Sequence, residues 1–288
     1  MLVSNRNEDV RKLEVKNSFT GYNFIEKINQ GTFGIVTLYE KNGKKYAVKE
    51  FTNKKMGILH LTTSRELQAL IKLSECRYVI SVEEIVLLPE EILVVFPFCK
   101  ESLTGKKYLK MKDLKEHFKQ IVTAVKEMHD MNFIHRDLKS SNIMVGEDDN
   151  VQIIDFGMAR QEQPMMTSLV TTLWYRAPEL LEYGNKNVYT KYDNKIDIWS
   201  IGIIFLEMLL GYPPCKTNCE IEQLKIYKRD LSDINKRYYY LDDDAKDLLR
   251  GMLQLEPEKR FSSDEILSHQ FFKNINNDPM KYFTENDK

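Results

Sequence analysis

The hydrophobic periodicity of this 288-residue chain changes from strand-like to helical near residue 98. In residues 22–98, the runs IVTLYE, KKYAVKEF and EILVVFPF are short, alternate in character and are rich in β-branched and aromatic residues, which is typical of strands. Asn42 and Gly43 lie between the first two runs and predict a tight hairpin turn. This part of the chain is therefore predicted to form a small sheet.

Helical periodicity dominates the rest of the chain. One helix is predicted inside the strand-rich part, at about residues 62–74, with Leu67, Leu70 and Ile71 on its apolar face. Three long helices are predicted further on, the last of them after an aspartate-rich capping run. They span residues 114–128, 196–210 and 245–253. The complete pattern predicts an α+β fold with two lobes, a small β-rich lobe followed by a larger helical lobe.

The two ends of the chain, residues 1–21 and 273–288, are polar and charged, and we expect them to be flexible extensions. One domain is predicted between them, at residues 22–272. Its predicted parts are a β-rich lobe at about 22–98, a hinge at about 98–103 and a helical lobe at about 104–272.

Charge and cysteine content restrict the classes of partner. The 42 basic residues nearly balance the 43 acidic ones, which argues against a dedicated surface for nucleic acid or for an anionic membrane. The most apolar stretch, residues 196–210, contains Asp197 and Glu207 and is too short for a membrane span. The 4 cysteines are too few and too scattered for a disulfide framework, so we interpret them as free thiols of an intracellular protein.

Residues 135–157 read HRDLKSSNIMVGEDDNVQIIDFG and combine four side chains suited to phosphoryl transfer. Asp137 is placed to take or orient the proton of an attacking hydroxyl, and Lys139 to screen the charge that spreads over a transferred phosphoryl group. Asn142 and Asp155 offer the hard oxygen ligands that Mg2+ prefers. Asp137 and Lys139 are therefore the candidate catalytic residues, and Asn142 and Asp155 are the candidate metal ligands.

This run resembles the catalytic loop and metal-binding turn of eukaryotic protein kinases. The segments TTLWYRAPELL and DIWSIG resemble the substrate platform and central helix of that family, and the resemblance covers about residues 22–272. It implies a bilobal kinase that uses ATP and Mg2+ to phosphorylate protein substrates. It also implies that His135 packs on Phe156 rather than acting as a base, and that Glu179 and Arg260 form a buried ion pair.

The strand-rich part contains a candidate nucleotide site. Residues 28–36, INQGTFGIV, hold two glycines three apart, so their backbone could approach phosphates without obstruction by side chains. Ala47 and Lys49 share one face of a predicted strand, where Ala47 leaves room for a flat base and Lys49 can bind phosphate.

The family resemblance extends this nucleotide site. It implies that Glu66 holds Lys49, that the segment from Phe96 to Cys99 pairs with adenine, and that Met144 lies beneath the base. The candidate nucleotide-binding residues are therefore Ile28, Asn29, Gln30, Gly31, Thr32, Phe33, Gly34, Ile35, Val36, Ala47, Lys49, Glu66, Phe96, Cys99 and Met144.

Several motifs indicate a branch within the kinases. Lys139 after the catalytic aspartate, together with Thr172, matches the serine/threonine pattern. LWYRAPE and a helix beginning HLTTSRE resemble the cyclin-dependent kinases of the CMGC group, in which that helix contacts the cyclin. Mitogen-activated kinases usually show Thr-x-Tyr and RWYR, whereas this chain reads LWYR, so they are the second most similar branch. The resemblance implies a cyclin-like regulatory subunit, a role in the cell cycle or transcription, and a nuclear or cytoplasmic location with the nucleus favoured.

Thr167 occupies the position at which an upstream activating kinase phosphorylates cyclin-dependent kinases. A phosphate there would add about −1.5 to −2 charge and would need cationic partners to order its loop. The family uses three arginines for this purpose, and Arg65, Arg136 and Arg160 match them one by one. We therefore predict that phosphorylation of Thr167 raises activity.

Some positions depart from the family pattern. Asn29 replaces a glycine of the phosphate loop and Ser102 replaces an aspartate that contacts the ribose, so we expect weaker nucleotide binding. Thr171 replaces a valine of the proline pocket, but Arg176 is retained, and a preference for Ser/Thr-Pro sites is still expected.

The remaining alternatives for the function are a partner-independent kinase of a neighbouring branch and a pseudokinase that only binds other proteins.

Overall fold

The chain divides into two units at Phe98, except that one short segment before Phe98 belongs to the second unit. Unit 1 contains Met1–Glu75 and Ile80–Phe98, and unit 2 contains Cys76–Val79 and Cys99–Lys288. The structure, a computed structural model, describes residues 14–31, 34–52, 61–89, 91–162, 166–167, 172–182, 189–190, 192–231 and 233–273.

Unit 1 is a sheet with one helix in its described residues. The strands are β1 Glu14–Lys16, β2 Asn23–Gly31, β3 Gly34–Lys41, β4 Lys44–Thr52, β5 Glu84–Leu87 and β6 Glu91–Pro97, and the helix, between β4 and β5, is α1 Leu61–Lys72. The sheet order is β1-β5-β6-β4-β3-β2, in which β1 and β5 are parallel and the other neighbours are antiparallel. The strands predicted from IVTLYE, KKYAVKEF and EILVVFPF are confirmed as β3, β4 and β6.

Side chains of the sheet alternate between two apolar faces. On one face, Val48 and Val95 are buried against Phe19 and Tyr22, whose rings stack with their centroids 4.4 Å apart. On the other face, a second buried cluster packs against α1 through Leu67. Because both faces are covered, β-branched and aromatic residues suit the central strands on either side.

The β3–β4 hairpin turns at Asn42 and Gly43, as predicted. Both residues have left-handed backbones, with φ of 54° and 77°. A two-residue turn of this kind matches the right-handed twist of the strands only when both central residues accept a positive φ, which Asn and Gly do more readily than other residues.

The helix α1 is confirmed, but its buried face differs from the prediction. Ile71 is 49% exposed, whereas Glu66, Ala69 and Leu70 are buried. Residues 66, 69, 70 and 73 follow the i, i+3, i+4, i+7 spacing of one helix face. Because Glu66 points inward, the helix is rotated about its axis and Ile71 turns outward.

The prediction of a flexible extension before residue 22 is wrong for its last part. Strand β1 pairs with β5 over residues 14–16, and Lys16 Nζ lies 2.9 Å from Glu84 Oε1. Lys41 contacts the same carboxylate oxygen at 3.1 Å. Lys16, one of the charged residues that indicated flexibility, is thus a partner of strand β5. Residues 1–13 and 274–288 lie outside the described residues.

Unit 2 is mainly helical. Its helices are α2 Met111–Asp130, α3 Pro178–Glu182, α4 Lys195–Leu210, α5 Glu220–Ile226, α6 Ile234–Arg237, α7 Asp243–Met252 and α8 Ser263–Ser268, and a π-helical turn at Tyr227–Leu231 follows α5. Its described strands are β7 Cys99–Ser102, β8 Phe133–Ile134, β9 Ile143–Gly146, β10 Val151–Ile153, β11 Arg160–Gln161, β12 Met166–Thr167 and β13 Tyr189–Thr190. The three long helices predicted from periodicity are confirmed as α2, α4 and α7.

Helix α4 forms the centre of unit 2. All its residues from Ile196 to Leu210 are buried, which explains an apolar pattern on every side of the helix. It ends at Gly211, whose left-handed backbone (φ 77°) lets its N–H bond to the Glu207 carbonyl at 2.7 Å. Helix α7 begins at the predicted cap, where the Asp242 carboxylate accepts from the Asp244 and Ala245 N–H groups.

The division into units differs from the predicted lobes at Cys76–Val79, which belong to unit 2. Arg77 donates its backbone N–H and its Nε to the Glu127 carboxylate of α2 at 2.6 and 2.7 Å. Val79 forms a bridge with Ile153 of β10. These contacts attach a segment that is near unit 1 in sequence to the helical unit instead.

Candidate active site

Asp137 lies at the centre of a hydrogen-bonded group in unit 2. Its Oδ1 accepts from the Thr172 backbone N–H at 2.9 Å and lies 3.2 Å from the Thr172 hydroxyl, which also donates to it. Its Oδ2 accepts from Lys139 Nζ at 2.7 Å. These bonds fix the carboxylate in one orientation and place a cation beside it. The two predicted catalytic residues are therefore in direct contact.

Asn142 and Asp155 lie close to this group along the chain and are linked through the backbone. Asn142 ends a short 3-10 helix, Ser140–Asn142, and donates its Nδ2 to the Asp137 carbonyl at 2.9 Å. The Asn142 carbonyl in turn accepts from the Ile154 N–H at 2.9 Å. Asp155 has a left-handed backbone with φ of 65°, a strained conformation typical of functional turns.

The donor set of these two residues fits a hard divalent cation. Because Asn142 uses Nδ2 to bond Asp137, its Oδ1 is the side-chain atom left for a ligand. Asp155 accepts a long bond of 3.4 Å from the Gly157 N–H at one carboxylate oxygen, which leaves its other oxygen available. One amide oxygen and one carboxylate oxygen are ligands of the kind that Mg2+ takes from proteins.

His135 and Asp197 hold the backbone of the loop that contains the candidate catalytic residues. His135 is fully buried, with its ring 5.0 Å from that of Phe156, so the predicted packing role is confirmed. Asp197, from α4, accepts from the backbone N–H groups of His135 at 2.8 Å and Arg136 at 3.0 Å, and contacts His129 Nε2 at 3.0 Å. These contacts, with the nearby imidazoles, outweigh burial and lower the pKa of Asp197.

The sequence interpretation assigned no function to Asp197. Its only clue was a carboxylate inside an otherwise apolar helix, where burial of an unpaired charge would be costly. Glu207, further along α4, is a second carboxylate inside the same apolar helix.

Glu207 ends a chain of hydroxyl groups that the sequence did not reveal. Tyr175 donates its hydroxyl to Glu207 Oε2 at 2.8 Å, and Ser140 Oγ lies 3.0 Å from the Tyr175 hydroxyl. Thr104 Oγ1 lies 3.3 Å from Ser140 Oγ. Burial raises the pKa of Glu207, and the bonds from Tyr175 and Ser140 oppose that rise. This network links the catalytic loop to the segment that resembles a substrate platform.

In unit 1, Lys49 and Glu66 form a short ion pair. Lys49 Nζ lies 2.5 Å from Glu66 Oε1, and both side chains are largely buried. Ala47 and Lys49 alternate with the buried Val48 along β4, so they share the face that the sequence predicted. Ala47 pairs with Phe96 of β6 in the sheet register.

The glycine-containing turn joins β2 to β3. Its described residues pair as Asn29 with Val36, Gln30 with Ile35 and Gly31 with Gly34. Ile28 is 47% exposed on β2. Asn29 has an ordinary strand backbone without a positive φ, so the chain does not require a glycine there. The predicted positions Thr32 and Phe33 lie outside the described residues.

Cys99 and Met144 both belong to the three-stranded sheet of unit 2. β7 and β9 pair Cys99 with Gly146 and Ser102 with Met144. Burial raises the pKa of the Cys99 thiol to about 11, which favours the protonated thiol at neutral pH. The Ser102 hydroxyl accepts from the Thr104 N–H at 3.3 Å and so contacts its own turn.

Two of the three predicted phosphate-binding arginines lie close together in unit 2. Arg136 is 1% exposed, and its guanidinium lies 5.8 Å from the centre of the Tyr192 ring. Burial lowers the pKa of Arg136, and the nearby positive charge of Arg160 lowers it further. Arg65 lies on α1 in unit 1. For Thr167 the structure describes the backbone, which pairs with Tyr189 between β12 and β13.

Two further arginines have well-defined carboxylate partners. Arg260 donates from both terminal nitrogens to Glu179, at 2.7 and 2.6 Å, and its side chain is fully buried, so the predicted ion pair is confirmed. Arg176 Nη1 lies 2.5 Å from Glu220 Oε1 of α5. Thr171 lies outside the described residues.

Comparison with known proteins places these features in a family. A family model described as Protein kinase domain matches residues 22–272. Among the described residues, no helix is long and apolar enough to cross a membrane.

Three relatives illustrate the range of similar proteins. A probable CTD kinase subunit alpha homolog of Encephalitozoon cuniculi is 31% identical, over 88% of this chain and 84% of that protein. A probable cell division protein kinase of the same organism is 34% identical, over 77% and 72%. A mitogen-activated protein kinase hog1 of Aspergillus clavatus is 32% identical, over 87% and 76%.

Proposed function

The chain belongs to the protein kinase family and is of the CMGC serine/threonine type, and we propose that it is a cyclin-dependent-type kinase acting on protein substrates. The observation that carries the catalytic part of the proposal is the arrangement of Asp137, whose two carboxylate oxygens are held by Thr172 and Lys139. A pseudokinase would not need this orientation.

The mechanism assigns a separate task to each residue of the site. ATP with Mg2+ would supply the transferable phosphoryl group. Asp137 accepts the proton of the substrate hydroxyl, and Lys139, 2.7 Å from it, screens the negative charge that develops during transfer. Asn142 and Asp155 would hold the metal through their oxygens. Most of the rate enhancement in such a site comes from positioning and electrostatics.

The residues of unit 1 would bind the nucleotide. Lys49 would contact phosphate oxygens, and Glu66 holds its ammonium group at 2.5 Å so that it points in one direction. The turn between β2 and β3 would bring backbone N–H groups to the phosphates. Ala47 would leave space for the base, and the remaining predicted nucleotide contacts, from Ile28 to Val36 and at Phe96, Cys99 and Met144, are part of the same proposal.

We predict that Asp137→Asn lowers turnover by at least about 100-fold, because the amide cannot accept the substrate proton. The measurement is transfer of labelled phosphate from ATP to a serine-containing protein substrate by the active complex. Asp113→Asn, which changes an exposed carboxylate at the start of α2, should leave turnover unchanged. Equal activity of Asp137→Asn and the unmodified chain would instead support a non-catalytic binding protein.

Control by phosphorylation of Thr167 is the second part of the proposal. The positive charge of Arg160 lowers the pKa of Arg136, so an anion bound near both guanidinium groups would relieve their repulsion. We predict that Thr167→Ala lowers the activity of the partner-bound kinase, and that Arg160→Ala lowers activity when residue 167 is phosphorylated but has little effect otherwise. Kinase assays with the phosphorylation state checked by mass spectrometry test this. An unchanged rate for Thr167→Ala would contradict it.

A partner-independent kinase of the mitogen-activated type is a second candidate, since the similarity to hog1 is as extensive as that to the cell division kinase. Activity of the purified chain without any partner, undiminished by Arg65→Ala, would favour this alternative. Activity that appears only with a copurifying cyclin-like subunit would favour the first proposal. A nuclear role and a preference for Ser/Thr-Pro sites are further parts of that proposal.

A further inference from the structure

Unit 2 has a surface depression of about 360 Å3 that belongs to none of the sites above. It lies between the end of α4 and the segment that follows the π-helical turn. Tyr212, Pro214 and Tyr240 line it, and Lys236, Arg237 and Tyr239 also contribute to its lining. The last three residues are exposed to solvent. The depression therefore has aromatic walls, and its exposed lining carries two cations.

The net charge of this depression is positive. Neither Lys236 nor Arg237 forms an ion pair with any other residue in the described part of the chain. The third cation, Arg229, is held by the Asp230 carboxylate at 2.6 and 2.8 Å. The one acidic residue of the lining, Asp233, accepts from the Lys236 backbone N–H at 3.1 Å and so caps α6. Two cations thus remain available for an anionic ligand.

The aromatic groups are close to these cations. Tyr239 is 68% exposed, and its ring meets that of Tyr240 edge-on, with the centroids 5.4 Å apart. Burial raises the pKa of Tyr240, and the positive charge of Arg237 opposes that rise, which places the guanidinium near the phenol. An anionic group at Arg237 would therefore lie beside an aromatic surface.

The exposed lining favours a protein segment over a small molecule. Small-molecule sites usually bury most of their ligand, whereas here three of the lining residues remain open to solvent. Tyrosine and arginine, together with tryptophan, are enriched at the energetic centres of protein interfaces. Two cations without a carboxylate partner among the described residues favour a ligand that carries more than one negative charge.

We propose that this depression, which we call the Tyr239 surface, docks an acidic segment of a partner protein, with carboxylates at Lys236 and Arg237 and an aromatic side chain against Tyr239. Since Asp137, Lys139 and the nucleotide-binding residues do not line the depression, binding here does not depend on the proposed kinase activity.

Fluorescence anisotropy with the full chain tests the proposal. The probe is a fluorescein-labelled peptide of sequence Asp-Glu-Phe-Asp-Glu. The double variant Lys236→Glu/Arg237→Glu should bind it at least about fivefold more weakly, because attraction is replaced by repulsion at two positions. The Asp137→Asn chain should bind it as well as the unmodified chain does, so that failure of docking and failure of catalysis are separately visible.

A matched control reverses the same number of charges elsewhere. Lys112→Glu/Lys119→Glu changes two exposed lysines of α2, and neither residue pairs with a carboxylate in the described part of the chain. This control should retain peptide affinity. Replacement of phenylalanine by alanine in the peptide, or Tyr239→Ala in the protein, should weaken binding at unchanged charge. Thermal melting confirms that each variant is folded.

Several results would overturn the proposal. One is unchanged affinity in the Lys236→Glu/Arg237→Glu chain, and another is an equal loss in both double variants, which would show attraction by overall charge only. Displacement of the peptide by inorganic phosphate, but not by sodium chloride of equal ionic strength, would indicate a site for a small anion. Self-association of the chain that the Lys236→Glu/Arg237→Glu change abolishes, without peptide binding, would assign the surface to a second copy.

Discussion

Gly34 shows how a single residue restricts the turn between β2 and β3, which is proposed to bind nucleotide. Its φ is 130°, and a Cβ placed there would overlap the backbone carbonyl oxygen of Glu50 on the neighbouring strand. Gly43, in the β3–β4 turn, also has a positive φ, but a Cβ there would meet no described atom within 4 Å. Substitutions at the two glycines can therefore be compared: a side chain at Gly43 costs only the energy of a left-handed backbone, whereas a side chain at Gly34 also meets a steric clash.

We predict that Gly34→Ala destabilises unit 1 more than Gly43→Ala does. The second change carries only the left-handed backbone penalty, about 1 to 2 kcal/mol, whereas the first adds a clash with Glu50. Denaturant unfolding compares the two variants, and the KM for ATP should rise for Gly34→Ala alone. Equal stability losses with unchanged KM in both would show that the turn tolerates a side chain.

At the scale of elements, α2 is anchored by a buried neutral histidine. His117 Nε2 lies 2.9 Å from the Asp149 carbonyl, and Nδ1 lies 2.9 Å from the Tyr108 hydroxyl. A carbonyl only accepts, so Nε2 carries the proton and Nδ1 accepts from Tyr108. Burial lowers the pKa of His117, in agreement with a neutral ring.

This pKa shift predicts a pH dependence of stability. Below about pH 6.5, the unfolded chain protonates His117 while the folded chain resists it, so the free energy of unfolding falls as pH decreases from that point towards the lowered folded pKa. His117→Gln removes the titrating group and should give a shallower decline between pH 7.5 and 5.5 in denaturant titrations. Parallel pH profiles for the two proteins would rule out His117 as a contributor.

At the scale of the whole molecule, long-range contacts tie distant parts of unit 2 together. Glu179 of α3 and Arg260 are 81 positions apart, and Arg260 also donates to the backbone carbonyls of Lys195 and Gln254 at 2.9 and 2.8 Å. One guanidinium thus joins α3, the start of α4 and the turn after α7. Loss of its carboxylate would leave a buried charge without its main partner.

We predict that Glu179→Ala lowers the free energy of unfolding of unit 2 by about 3 to 5 kcal/mol, as is usual when one member of a buried ion pair is removed. Glu256→Ala is the control, because its partner Lys259 is 59% exposed and such surface pairs contribute no more than about 1 kcal/mol. Denaturant unfolding followed by tryptophan fluorescence measures both, since Trp174 and Trp199 lie in unit 2. A loss for Glu179→Ala as small as that of the control would contradict the structural role.

Local patterns were sufficient to predict much of the molecule. The strands β3, β4 and β6, the hairpin at Asn42 and the helices α2, α4 and α7 each follow from periodicity and turn chemistry within a few residues. The contact between Asp137 and Lys139 also came from a local motif, because the two residues are only two positions apart.

Features that depend on distant partners were missed or wrong. Ile71 points outward because Glu66, on the opposite side of α1, forms an ion pair with Lys49 of β4. Residues 14–16 form a strand because they pair with β5. Neither partner can be identified from the periodicity of the segment itself.

The sequence by itself determined the element types and the order of the chemically active residues, since these depend on side-chain identity and spacing along one short segment. Only the tertiary structure decided that Asp197 holds the backbone at His135, and that Glu207 receives the hydroxyl of Tyr175, which Ser140 contacts in turn. Such contacts join residues far apart in the chain, and packing of whole helices sets their geometry.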